Sequence, residues 1–271
     1  MPGVILAALD HPDAAPRLLA AAAGLAQLTH ASRVNALAIW TPPSSTITTE
    51  EALTRRVEER VRGAEQRRVD RLKAIYADWR GSVNSTVVEW ADVEGLADEV
   101  MDEWGGRADF IVLKRPTEGQ SEQERRAFNT ALFATGRPVL MVPTEQPASA
   151  FGHRVAIAWR DDGRTIKAVL SALRLVGGAE RVDVLAGSRD ATSPPSLPDI
   201  LEEHGIDATL HVLPITGQQA FGEALLAAAH GLGSDMLVMG AFARHPIRSL
   251  ILGGVTRYML AHADLPVLMR R

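Results

Sequence analysis

The stretch Leu237-Val238-Met239-Gly240-Ala241-Phe242-Ala243-Arg244-His245-Pro246 changes character twice within ten residues. Up to Met239 it is short, continuous and apolar, the pattern of a strand buried on both faces. Gly240 opens a loop. Beyond it, Ile247, Leu250, Ile251, Val255, Tyr258 and Met259 keep an i, i+3, i+4 rhythm, which predicts a helix over about 247–262. Working outward, strands are expected at 154–159, 181–186, 207–212, 235–239 and 265–269, with further helices at about 163–176 and 217–232. Alternating strands and helices point to an α/β, doubly wound parallel sheet. In such sheets ligands lie beyond the carboxyl ends of the strands, where glycines let backbone amides approach an anion and a helix start adds positive potential. Gly253 and Gly254 inside the expected helix would each cost about 1 kcal/mol relative to alanine, so the pair calls for a reason.

The chain repeats itself once. Val4-Ile5-Leu6-Ala7-Ala8-Leu9-Asp10 is similar to Val155-Ala156-Ile157-Ala158-Trp159-Arg160-Asp161, and each opens a half. Ala108-Asp109-Phe110-Ile111-Val112-Leu113 is echoed by Ser234-Asp235-Met236-Leu237-Val238-Met239. Each half closes on one phrase, Arg137-Pro138-Val139-Leu140-Met141 and then Leu265-Pro266-Val267-Leu268-Met269. Three matched phrases in the same order indicate a tandem duplication, with domains over 1–145 and 153–271 and a linker near Pro143 to Gly152.

Composition agrees with a folded chain of this kind. The 271 residues are 46% hydrophobic and 23% charged, and 29 basic against 33 acidic residues give a net charge of −4. That balance lacks the electrostatic footprint of a dedicated nucleic-acid binder. The absence of cysteine removes disulfide scaffolds, thiolate catalysis and iron–sulfur clusters. Met1 to Pro12 reads as no signal peptide, and Leu18 to Leu28 is too short and alanine-rich to span a bilayer. A soluble, cytoplasmic protein without membrane partners is expected.

The run Val238-Met239-Gly240-x-x-Ala243-Arg244, then Gly253-Gly254-Val255-Thr256, then Leu260-x-His262-Ala263-x-x-Pro266-Val267-Leu268 resembles the closing signature of the universal stress protein family. Ala158-Trp159, a polar turn and the helix Thr165 to Leu175 resemble that family's opening strand and helix. The resemblance spans essentially the whole chain as a tandem member, and is mostly architectural in the first half. It implies two Rossmann-like, five-stranded parallel domains with strand order 3-2-1-4-5, related by a pseudo-twofold axis. The closing strands, 138–142 and 265–269, would pair across the halves.

Many members bind ATP through glycine, two residues, glycine, nine residues, glycine, then serine or threonine. The spacing is kept here by Gly240, Ala243, Gly253 and Gly254, but Ala243 adds a methyl and Gly254 lacks a hydroxyl. Thr256 lies two positions further on. Where the family carries an acid and then Gly-Ser after the first strand, this chain reads Arg160-Asp161-Asp162. Arg160, Arg244, His245 and Arg248 would supply cationic donors for an anion, or pair with Asp161 and Asp162. The resemblance therefore implies one ATP in the second half. Ala158, Trp159, Arg160 and Asp161 would form the rim, and Met239, Gly240, Ala243, Arg244, Gly253, Gly254, Val255 and Thr256 the phosphate loop. Magnesium would follow the triphosphate rather than a protein cage.

The first half reads differently. After its fourth strand comes Leu113-Lys114-Arg115-Pro116 where the family's first glycine would stand, and the helix Arg125 to Ala134 has no glycine pair. Lys114 and Arg115 read as surface charge, and no conventional nucleotide site is expected there. An extra charged helix over roughly 50–79 reads as a solvated face above an apolar stripe of Leu53, Val57, Val61, Leu72, Ile75 and Trp79. The eight histidines show no metal-ligand spacing, and no nucleophile stands with a base.

Three functions stay open at this point. One is a stress-response binding and signalling protein with one ATP in the second half, an intramolecular pseudo-dimer that can also form a homodimer. A second is a scaffold of the same family that binds no nucleotide and acts through protein partners or another small ligand. The third is a slow ATPase, for which Asp161 is the candidate base.

Overall fold

A computed structural model describes residues 3–42, 55–80, 87–143, 150–188, 195–215, 218–244 and 251–271. The chain forms two compact units, one of residues 1–114 with 118–135, the other of 115–117 with 136–271.

In the first unit, β1 (Gly3–Ala8), β2 (Ala31–Trp40), β3 (Val87–Glu94) and β4 (Phe110–Lys114) form a parallel sheet in the order β3-β2-β1-β4. Ile5 and Ala7 in β1 and Ile111 and Val112 in β4 are fully buried, as a sheet covered on both faces requires. The helix Glu122–Phe133 starts where its sequence says it should. Ser121 accepts from the Glu124 N–H and the Glu124 carboxylate accepts from the Ser121 N–H, a reciprocal capping box. The charged helix is present as Arg55–Arg80, and residues 50–54 of the expected span lie outside the described residues. Its inner stripe runs through Val69, Leu72 and Tyr76, all buried.

The second unit holds β5 (Val139–Val142), β6 (Arg154–Trp159), β7 (Arg181–Ser188), β8 (Thr209–Pro214), β9 (Met236–Gly240), β10 (Ala243–Arg244), β11 (Ile251–Leu252) and β12 (Val267–Arg270). Five strands run parallel in the order β12-β9-β6-β7-β8, the expected 3-2-1-4-5 read from its far edge. β5 adds antiparallel to β12, with Val139 opposite Met269 and Met141 opposite Val267, so the two closing strands do pair. The helix Gly163–Val176 buries Thr165, Ala168, Val169, Ala172, Leu175 and Val176, one face at helical spacing.

One element departs from its expectation. The helix expected over 247–262 starts only at Gly254 and runs to His262. Ile251 and Leu252 instead form β11, paired antiparallel with Ala243–Arg244, and the Gly253 N–H donates to the Phe242 carbonyl. Ile247 and Leu250, which carried the helical rhythm further back, lie outside the described residues. A short helix, Asp199–Glu203, also stands in a stretch the sequence left as a connection.

Candidate functional site

The first turn after β6 is organised by Asp162. Its Oδ1 accepts from the N–H groups of Arg164 (3.1 Å) and Thr165 (3.0 Å) and from the Thr165 hydroxyl (3.2 Å), capping the helix Gly163–Val176. Its Oδ2 accepts from Arg160 Nε at 2.6 Å. Partial burial opposes the charged form, but the N–H donors and the Arg160 guanidinium outweigh it and hold this carboxyl below the usual carboxylate range. Arg160 and Arg164 both lie over the Phe242 ring, 4.1 and 4.8 Å from its centroid.

Beside that turn, the end of β9 meets the helix Gly254–His262. Gly253 is its N-cap with φ −59° and ψ 147°, and no side chain caps the helix. The opening N–H groups of a helix have no intrahelical acceptor and so face outward as donors. The glycine pair thus sits at a helix start rather than inside a helix, which removes the interior cost expected from the sequence. A Cβ on Gly253 would come 3.0 Å from that of Phe242, so glycine permits this close approach. Gly240 has a packing reason as well, since a Cβ there would stand 3.0 Å from the Thr165 backbone nitrogen. Ala243 lies in a two-stranded extended ladder opposite Leu252, a backbone that alanine adopts without strain. Thr256 is buried, and its hydroxyl accepts from the Phe242 N–H at 3.0 Å, tying the loop to the helix.

Together these elements border a cleft of about 480 Å³ at the carboxyl ends of β6 and β9. Ala158, Trp159, Arg160, Met239, Gly240, Gly253, Gly254, Val255 and Thr256 line it, nine of the twelve residues named from the sequence. Ala243 and Arg244 stand in β10. Asp161 lines an adjoining hollow of about 510 Å³ that shares Trp159, Arg160, Ile215 and Phe221 with the cleft. His245 and Arg248 lie outside the described residues. The sequence reading missed Arg164, Thr165, Phe242 and Arg257, and the apolar wall of Leu185, Ile215, Phe221 and Leu225. Arg164 and Thr165 had a signal in Asp162, whose place before a helical pattern marks an N-cap. Arg257 had one too, one turn beyond the glycine pair.

The matching place in the first unit is built otherwise. Lys114 is not surface charge. Its side chain is 11% exposed and Nζ lies 3.3 Å from Asp10 and 3.4 Å from Glu124. This cluster faces a hollow of about 250 Å³. Burial pushes the Asp10 carboxyl up more than Lys114 draws it down, and Asp10 Oδ1 is shielded from solvent without a hydrogen-bond partner. Arg68 closes the other side, donating to the Asp10 and Ile39 carbonyls and to Glu65. A lysine held between two carboxylates occupies the position of the second unit's Gly240. Arg115 belongs to the second unit, where its guanidinium donates to the Ala261 carbonyl.

Among the described residues, no helix is long and apolar enough to cross a membrane. No curated protein matches the sequence. Among solved structures, the chain is similar to a universal stress protein from Archaeoglobus fulgidus DSM 4304, at 13% identity and a TM-score of 0.67 over 99% of this chain and 96% of that one. A protein assigned to the same family from Pseudomonas aeruginosa UCBPP-PA14 aligns at 15% identity and 0.62, over 99% and 93%. Protein PA1789 of P. aeruginosa PAO1, of unknown function, aligns at 15% and 0.63, over 99% and 92%. These likenesses show a shared fold. The family model described as the universal stress protein family matches residues 139–271, which are β5 to the end of the second unit's sheet. Over these residues the second unit belongs to the universal stress protein family.

Proposed function

We propose that the second unit binds one adenine nucleotide in the cleft between the Asp162 turn and the Gly253–Gly254 helix start, and that the protein acts as a binding and signalling module in stress response. The observation that carries this reading is the convergence of glycine-lined backbone, an uncapped helix start and guanidinium groups on one cleft of ligand size. The apolar wall of Leu185, Phe221 and Leu225 offers a surface for a base, and the helix start offers donors for phosphates. Binding rather than turnover is favoured because none of the described lining residues is an acid or a histidine able to act as general base.

The second reading, a family scaffold without nucleotide, draws on Arg160 being paired with Asp162 and on the Lys114 cluster in the first unit. Mass spectrometry of small molecules released from purified, denatured protein, with titration of the stripped protein by ATP, separates the two. The nucleotide reading expects a co-purified adenine nucleotide or saturable binding below millimolar ATP. Neither signal would leave the scaffold reading.

A further inference from the structure

The donor set of the second-unit cleft does not suit magnesium. Magnesium keeps several waters and is held by phosphates with one or two protein carboxylates. Among the described residues lining the cleft there is no carboxylate, and there are three arginines, Arg160, Arg164 and Arg257. The carboxylate beside Arg160 and Arg164 is Asp162, and its two oxygens are already taken by Arg160 Nε, the Arg164 and Thr165 backbone N–H groups and the Thr165 hydroxyl. Asp161 opens onto the adjoining hollow instead. Among the described residues, no cluster of three histidine or acidic side chains forms a metal cage.

The arginines themselves are arranged for an anion. Arg160 and Arg164 share one ring, Phe242, which brings two like charges to a single rim of the cleft. Two guanidinium charges held against one ring favour an anion at that rim, and the Asp162 carboxylate supplies a single negative charge there, to Arg160. Asp162 engages Arg160 through Nε, so that hydrogen bond uses neither of its terminal nitrogens, and the side chain is 68% exposed at the cleft mouth. Guanidinium groups match phosphate geometry with paired hydrogen bonds.

We infer that the cleft takes its phosphorylated ligand as a metal-free anion, with the guanidinium groups of Arg160, Arg164 and Arg257 supplying the countercharge and Phe242 holding two of them in place. This rests on the nucleotide reading above and narrows it to the magnesium-free form. The role of Phe242 is positioning.

The test is a calorimetric titration of the stripped, full-length protein with sodium ATP, once in excess EDTA and once in excess magnesium. ATP should bind in EDTA at least as tightly as in magnesium, and added sodium chloride should weaken the EDTA isotherm. Arg160→Gln and Arg164→Gln should each lower affinity in EDTA by about tenfold, the scale of a lost charge-assisted pair. Binding that is tenfold or more weaker in EDTA than in magnesium would overturn the inference and leave the nucleotide reading standing. Absence of binding in both conditions would overturn both. If a variant fails to fold, the wild-type comparison still decides.

Discussion

Asp162 spends both carboxylate oxygens on one turn, joining the N–H groups of Arg164 and Thr165 to the Arg160 guanidinium. Asp162→Ala should therefore lower stability by about 1 kcal/mol at neutral pH, the usual scale of a lost N-cap. The carboxyl is held below its ordinary value in the folded state, so its contribution is present above the unfolded value of about 3.9. It is lost as pH falls through the lower folded value, and thermal melts of both proteins should converge in strong acid. Asp10 has the opposite sign. Its carboxyl is pushed up on folding, so the folded state binds the proton more readily and stability falls as pH rises through the folded value. Denaturant titrations should show the stability of Asp10→Asn rising relative to the wild type between pH 4 and pH 7; a relative fall over that range would contradict the sign. Gly240→Val should lower stability by about 1–3 kcal/mol, because its side chain would meet the Thr165 and Arg164 backbone. Loss of ligand binding in that variant would then report the fold as well as the site.

The parallel strands and long helices were legible because burial and periodicity coincide. The strand expected at 154–159 and the helix expected at 163–176 stand where apolar spacing put them. The stretch before Gly254 was not legible in that way. Ile251 and Leu252 fit a helical rhythm, but pairing with Ala243–Arg244 satisfies their backbone in extended form, and Gly253 starts the next helix. Arg68 was hidden for a related reason. On a helix rich in exposed charge, nothing in spacing marks the arginine whose guanidinium reaches the Asp10 and Ile39 carbonyls. It ties the helix Arg55–Arg80 to the ends of β1 and β2. Arg68→Ala should cost about 2 kcal/mol in chemical unfolding, the scale of charged hydrogen bonds lost from a partly buried group. A change within 0.5 kcal/mol, the range of ordinary surface substitutions, would show that this tie contributes little.

The two units share the order of their first four strands, the first holding four parallel strands where five were expected because β5 belongs to the second, and their crevices differ. In the second, glycine at the end of β9 lets the sheet meet the first turn of the helix Gly163–Val176, and the cleft beside it is lined by arginines. In the first, Lys114 fills the matching position and its charge is answered internally by Asp10 and Glu124. The glycine spacing located the second cleft in sequence. Of its three arginines, Arg160 was named from sequence, while Arg164 and Arg257 follow from local placement, one in the turn capped by Asp162 and one a turn beyond the glycine pair. The account thus expects one nucleotide per chain, held by the second unit. The direct measurement is the calorimetric stoichiometry of ATP on the stripped protein, repeated with Arg160→Gln. One equivalent per chain, weakened by that substitution, is the predicted result. Two equivalents, or one equivalent indifferent to Arg160, would contradict it.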